Sequence, residues 1–363
     1  KLVSLCHWRY THGGAPLALV SMDNCSHNGD KLLAAVDAYA KAWDEKGLAA
    51  EGFLAYIENP AKVSFPWSMT DRITPRPDDS IKKMLEEAGF TDTESIITSK
   101  NTYVAPFVNA EEAEYLVIED AFPNGRPVLE QAGVMFTTRD TVEKVERMKV
   151  CTCLNPLHTT LAVYGCLLGY TKISEEMKDE DLVKLVKIIG YKEGLPVVTD
   201  PGILSPEKFI DEVLMIRVPN PFMPDTPQRI ACDTSQKLSI RFGETIKEYM
   251  ARPELDVRSL KFIPMVQAGW CRYLLGVDDE GNAFTVSPDP MYEGLASKLS
   301  SVRIGEACDV HMVLQPILSD AKIFGVDLYE AGLGEYVESI FTELIAGKGA
   351  VRAALKKHLA EVR

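Results

Sequence analysis

The stretch Met148 to His158 runs directly into an apolar segment, Thr159 to Tyr170, and this pairing constrains the fold more than any other part of the chain. Spacings of three and four residues place side chains on a common helix face, so Asn155 and His158 share one. Lys149 lies roughly one and a half helical turns before Asn155 and must reach in from the helix start. Pro156 cannot make a mid-helix hydrogen bond, so a helix either begins near Asn155 or kinks there. On its own, the stretch reads as a buried amphipathic helix with an amine, a carboxamide and an imidazole near its N-terminus.

Composition narrows the function classes. The chain has 363 residues, 46% hydrophobic and 25% charged, which suits about two domains with ample core. No apolar run approaches the roughly 20 residues that span a bilayer. The net charge of -14 argues against nucleic acid as a partner, because phosphate binding needs basic faces. It also requires that any anionic substrate be held by a local cluster of Arg or Lys. The eight cysteines form no CxxC pair, and the six histidines form no HExxH or HxH, so nothing asks for a metal site. Reduced thiols in a cytoplasmic protein are expected.

Leu17 to Ser21 reads as a buried strand, followed by Met22-Asp23-Asn24-Cys25-Ser26-His27-Asn28-Gly29 as a strand-to-helix turn. In an open α/β sheet, loops at the carboxyl ends of strands are where ligands bind. Asp30 to Lys46 continues as an amphipathic helix. Phe65 to Pro75 forms a second polar focus, in which the adjacent Asp71 and Arg72 point to opposite sides of an extended segment. Helical periodicity dominates after about Arg147, over Thr159 to Tyr170, Asp179 to Gly190, Pro206 to Val213, Ser239 to Met250, Met291 to Val302 and Tyr329 to Leu359. Gly169 and Gly190 are expected helix ends. The expected division is an α/β portion over residues 1–145 and a mainly helical portion over 146–363.

Five blocks, in order, resemble the polyol-specific long-chain dehydrogenases, the mannitol dehydrogenase and fructuronate reductase family. They are Val20 to Asn24 with Asn28-Gly29; Phe65 to Pro75; Val117 to Asp120 with Gly125 to Pro127 and Ala132 to Val134; Met148-Lys149 with Leu154-Asn155 and His158; and Asn220-Pro221 with Arg229, Asp233 and Ser235 to Lys237. The resemblance covers residues from about 17 to 245. Where the family has four residues between the lysine and the asparagine, this chain has five, 150–154, which a local bulge would absorb. The glycine turn that opens the family's Rossmann domain is not seen near Lys1. The expected fold class is therefore α/β, a partial Rossmann-like domain followed by a mostly α-helical C-terminal domain.

The resemblance implies an NAD-dependent oxidoreductase. It makes Lys149 the general acid in ketone reduction and the general base in alcohol oxidation, work that lysine does where burial or a neighbouring cation eases loss of its proton. Asn24 and Asn155 would donate N–H groups to the carbonyl oxygen, and His158 would bond the reacting oxygen or its neighbour. Asp71, Arg229 and Lys237 would hold the rest of the substrate, with Asn24 and Asp71 also on the cofactor side. Gln236-Lys237 resembles the hexuronate-reducing branch and Asp225-Thr226 the polyol branch. An extra cation, Arg241 or Arg126, would favour a carboxylate. The expected substrate pair is D-fructuronate and D-mannonate, with mannitol 2-dehydrogenase and tagaturonate reductase as alternatives. A non-catalytic binding module is the alternative from another class.

Overall fold

Leu17 pairs with Val63, and Ala18 with Ser64, in a parallel register. Parallel neighbours need a crossover, and here it is helical. Strand β1 (Leu17–Ala18) leads to helix α2 (Asn28–Glu45), then α3 (Phe53–Glu58), then β2 (Val63–Ser64); a helix α1 (Leu2–Thr11) precedes β1. This computed structural model describes residues 1–223 and 225–362. The chain divides into two compact units. The first comprises Lys1–Ile73, Glu111–Arg147 and Asp200–Ile203; the second comprises Thr74–Ala110, Met148–Thr199 and Leu204–Arg363.

In the first unit, Val3 and Cys6 of α1, Val36 and Ala40 of α2 and Phe53, Tyr56 and Ile57 of α3 bury together with Val63 and Phe65. The strand expected over Leu17 to Ser21 is shorter: only Leu17 and Ala18 pair, and both stay half-buried. Pro66 lacks the N–H that would continue the ladder, and β3 (Ser68–Asp71) belongs to a different sheet. In that sheet β4 (Tyr115–Glu119) is central, with β3 antiparallel on one side and β5 (Met135–Thr137) parallel on the other. The α/β class holds, but β3 departs from the parallel arrangement. Helix α4 (Arg139–Met148) follows β5.

The second unit is helical; among the described residues its named strands are the exposed pair Ile96–Ile97 and Tyr103–Val104. At its centre lies the helix Phe262–Tyr273, every residue of which is buried. Glu193 anchors its start, accepting hydrogen bonds from the backbone N–H groups of Lys261 (2.7 Å), Phe262 (2.8 Å) and Ile263 (2.7 Å). Arg272, near the other end, is fully buried and donates to the carbonyls of Leu344 (3.2 Å), Val277 (2.6 Å) and Asp278 (3.1 Å). Tyr164 of helix α5 (Asn155–Leu167) donates to the Met265 carbonyl at 3.0 Å. Gly190, expected at a helix end, instead lies inside a π-helical segment, Ile188–Gly194, against the methyls of Leu157 and Ile210. Gly169 does end its helix, at φ 80°.

One buried group stands apart. Glu176 is fully buried, and neither carboxyl oxygen has a hydrogen-bond partner among the described residues. Its carboxyl lies against the α5 backbone at Gly165, where a Cβ would fall 2.1 Å from Oε1. Burial first, then the charges of Asp179 and Asp225, pushes its pKa up to about 9. A carboxyl raised in the folded state stabilises fully below its unfolded pKa and loses that contribution as pH climbs through the folded one. Glu176→Gln, which is neutral at every pH, should therefore gain in melting temperature over the parent as pH rises from about 5 to 9. Parallel melting curves for the two across that range would contradict this assignment.

Candidate active site

In the first unit the site residues follow β1 and end β3. Asn24 is exposed on the loop after β1. The loop is fixed from beneath by buried Asn28, whose Nδ2 donates to the Asp23 carbonyl (3.0 Å) and to Ser68 Oγ (2.9 Å), while its Oδ1 accepts from the Ser68 N–H (3.0 Å). Gly29 lets the start of α2 approach the segment before β3, since a Cβ there would sit 2.5 Å from the Phe65 carbonyl oxygen. His27 stacks on Trp67 with ring centroids 4.2 Å apart. Asp71 is buried at the end of β3, opposite Tyr115. Arg126, one of the two extra cations, is paired with Asp120 and Glu130, each at 2.8 Å.

In the second unit the site begins with a π-helical turn, Lys149–Cys153. The Leu154 N–H bonds the Lys149 carbonyl at 3.0 Å. An i→i+5 closure takes one residue more than an α-turn, and such turns are frequent at functional sites. The extra residue between Lys149 and Asn155 is accommodated here. α5 then starts at Asn155 with Pro156 in its first turn, where the missing N–H costs nothing. The His158 N–H bonds the Leu154 carbonyl at 3.0 Å, so Asn155 and His158 stand on the first turn of one helix. Lys149 is buried, whereas Asn155 and His158 are half-buried.

Around His158 one carboxylate, Asp225, acts against three arginines. Its Nε2 lies 3.6 Å from Asp225 Oδ2. Burial first, and then the charges of Arg241, Arg229 and Arg217 acting against Asp225, pulls its pKa down to about 4. The imidazole is therefore neutral at pH 7 and able both to donate and to accept. Arg229 binds Asp225 as a fork, through Nε at 2.6 Å and a terminal nitrogen at 2.5 Å. Thr226 caps the short helix Pro227–Ile230 by accepting from the Arg229 N–H at 3.2 Å. Lys237 donates to the carbonyls of Cys232 and Ile230. Arg241, on another π-helical turn, Ser239–Gly243, donates to Thr159 Oγ1. This second π-turn packs against the one that carries Lys149.

Within this unit, then, Lys149, Asn155, His158, Arg229 and Lys237 occupy neighbouring turns. Asp225 was legible in the sequence only as a branch-specific residue. Its place four residues before Arg229 was the signal for the ion pair. Among the described residues no group of three or more His, Cys, Asp or Glu side chains could hold a metal ion. No helix there is long and apolar enough to cross a membrane.

Residues 141–344 match the mannitol dehydrogenase C-terminal domain, and the chain belongs to the mannitol dehydrogenase family. A D-mannonate oxidoreductase of Thermotoga maritima is 55% identical over 361 residues, covering 98% of this chain and 66% of that protein. Two solved structures share the fold. A D-sorbitol dehydrogenase in substrate-free form matches 98% of this chain and 65% of its own length at TM-score 0.79 and 28% identity. A mannitol 2-dehydrogenase of Pseudomonas fluorescens, in ternary complex with NAD and D-mannitol, matches 99% of this chain and 66% of its own length at TM-score 0.70 and 26% identity. The chain thus spans just under two thirds of the length of these relatives.

Proposed function

We propose that the full-length protein interconverts D-fructuronate and D-mannonate by NAD-dependent hydride transfer. The observation that carries this reading is the 55% identity, across nearly the whole chain, to a protein named D-mannonate oxidoreductase. The cationic Arg241 near His158 supports it, because it suits an acidic sugar in a chain of net charge -14.

In this reading residues 1–145 are the remaining part of the dinucleotide-binding domain and 146–363 the substrate and catalytic domain. The first unit fits a dinucleotide in its chemistry: a parallel crossover through α2 with exposed Asn24 on the loop at the carboxyl end of β1. NAD bound there would supply or take up the hydride. Lys149 Nζ gives its proton to the ketone oxygen as charge develops on it and takes a proton back in the oxidative direction. The Asn155 side-chain amide donates to the same oxygen and stabilises its charge. Neutral His158 holds the reacting oxygen or the hydroxyl beside it. Arg229 and Lys237 hold the remainder of the sugar chain.

The test is oxidation of D-mannonate by the full-length protein with NAD. NADH should appear together with D-fructuronate as the carbon product. Turnover of D-mannitol but not of D-mannonate would overturn the reading in favour of a polyol dehydrogenase, and turnover of neither would favour a binding module.

A further inference from the structure

We propose that Arg241 receives the carboxylate of the sugar acid, with Lys237 beside it, and that this pair, rather than Arg229, sets the preference for a uronate over a neutral ketose. The inference rests on the substrate reading given above and assigns that selectivity to particular side chains.

Arg229 already faces a carboxylate. Both arms of its fork are engaged by Asp225, so the two together carry no net charge. Arg241 differs. Its guanidinium donates to the Thr159 hydroxyl, and among the described residues no carboxylate lies within ion-pair distance of it. An arginine carries five N–H donors in a planar fork matched to a carboxylate, and a single hydroxyl leaves most of that capacity open. Arg241 stands close enough to His158 for its charge to help lower the imidazole pKa.

The charge balance points the same way. Burial lowers Arg241 only to about 10, so it is cationic at pH 7. Burial and then the charge of Arg241 lower Lys237, which likewise has no acidic side chain within ion-pair distance among the described residues. Two neighbouring cations repel each other. The charge of Asp233, beyond ion-pair distance, offsets part of this repulsion, and a bound anion relieves the remainder.

The experiment is steady-state reduction of D-fructuronate and of D-fructose by the full-length protein with NADH, in the parent, Arg241→Gln and Arg241→Lys, each checked by thermal melt. Loss of a charge-assisted hydrogen bond should raise KM for fructuronate about 10- to 100-fold in Arg241→Gln. kcat should change little, and the constants for fructose should move far less. Arg241→Lys keeps the charge but not the fork, so its rise in KM should be smaller and still confined to the uronate. If Arg241→Gln does not fold, the lysine variant decides, and a uronate KM equal to the parent's overturns the proposal. Undiminished uronate preference in a folded Arg241→Gln places the carboxylate elsewhere and overturns the proposal while leaving the substrate reading intact. Equal losses on both ketoses make Arg241 a support of the site's shape and also overturn it. A parent enzyme that prefers fructose removes the substrate reading, and the proposal with it.

Discussion

Replacing Lys149 with alanine is expected to lower kcat by roughly 10² to 10⁴-fold while leaving NADH affinity nearly unchanged, the range typical of a lost general acid–base group. The lysine stands at the start of a π-turn, is buried, and precedes by one short segment the helix start that presents Asn155 and His158. Its removal should leave the backbone intact, because alanine is the best helix former and the turn is closed by backbone N–H and C=O groups. The loss should fall on kcat and kcat/KM alike, as for an interaction made in the transition state. Added small primary amines should restore part of the rate, and a merely structural lysine would show no such rescue. Near-parent turnover in Lys149→Ala would pass the proton-transfer role to another residue.

The largest effect on stability is expected at Glu193. Its carboxylate accepts from three consecutive backbone N–H groups at the start of the buried helix Phe262–Tyr273. Burial raises its pKa to about 6 against the pull of those donors, so it is mostly ionised at pH 7 and completes the first turn of that helix. Glu193→Ala leaves buried N–H groups without an acceptor, at about 1 to 3 kcal/mol each, so a loss of at least about 3 kcal/mol is expected. In a protein of this size that corresponds to a fall in melting temperature of roughly 4 °C. Glu193→Gln, which can still accept with its carbonyl oxygen, should lose less. A melting temperature for Glu193→Ala within a degree or so of the parent's would show that water or a neighbour takes over the capping.

How much of this was legible beforehand depended on whether a side of each element met solvent. Helix α2 shows a polar and an apolar face, and its position was read to within two residues, Asn28–Glu45 against Asp30 to Lys46. The helix Phe262–Tyr273 was missed; it is buried on every side, so its polar residues mark no solvent-facing stripe. The π-turns were illegible for a different reason. Nothing in local composition separates an i→i+5 turn from an i→i+4 one, and the only hint at Lys149–Cys153 was a spacing one residue longer than the family's. The ion pair of Asp225 with Arg229 fits an i,i+4 spacing, but its approach to His158 across the fold follows from tertiary packing alone. Glu176 could not be found at all, because an unpartnered buried carboxyl is defined by what surrounds it.

The most direct test of the account is a competition. The full-length protein is given equal concentrations of D-fructuronate and D-fructose with limiting NADH, and the products are separated and quantified, which reads the ratio of the two kcat/KM values in one vessel. D-mannonate should form in large excess over D-mannitol. A mixture dominated by D-mannitol would contradict that.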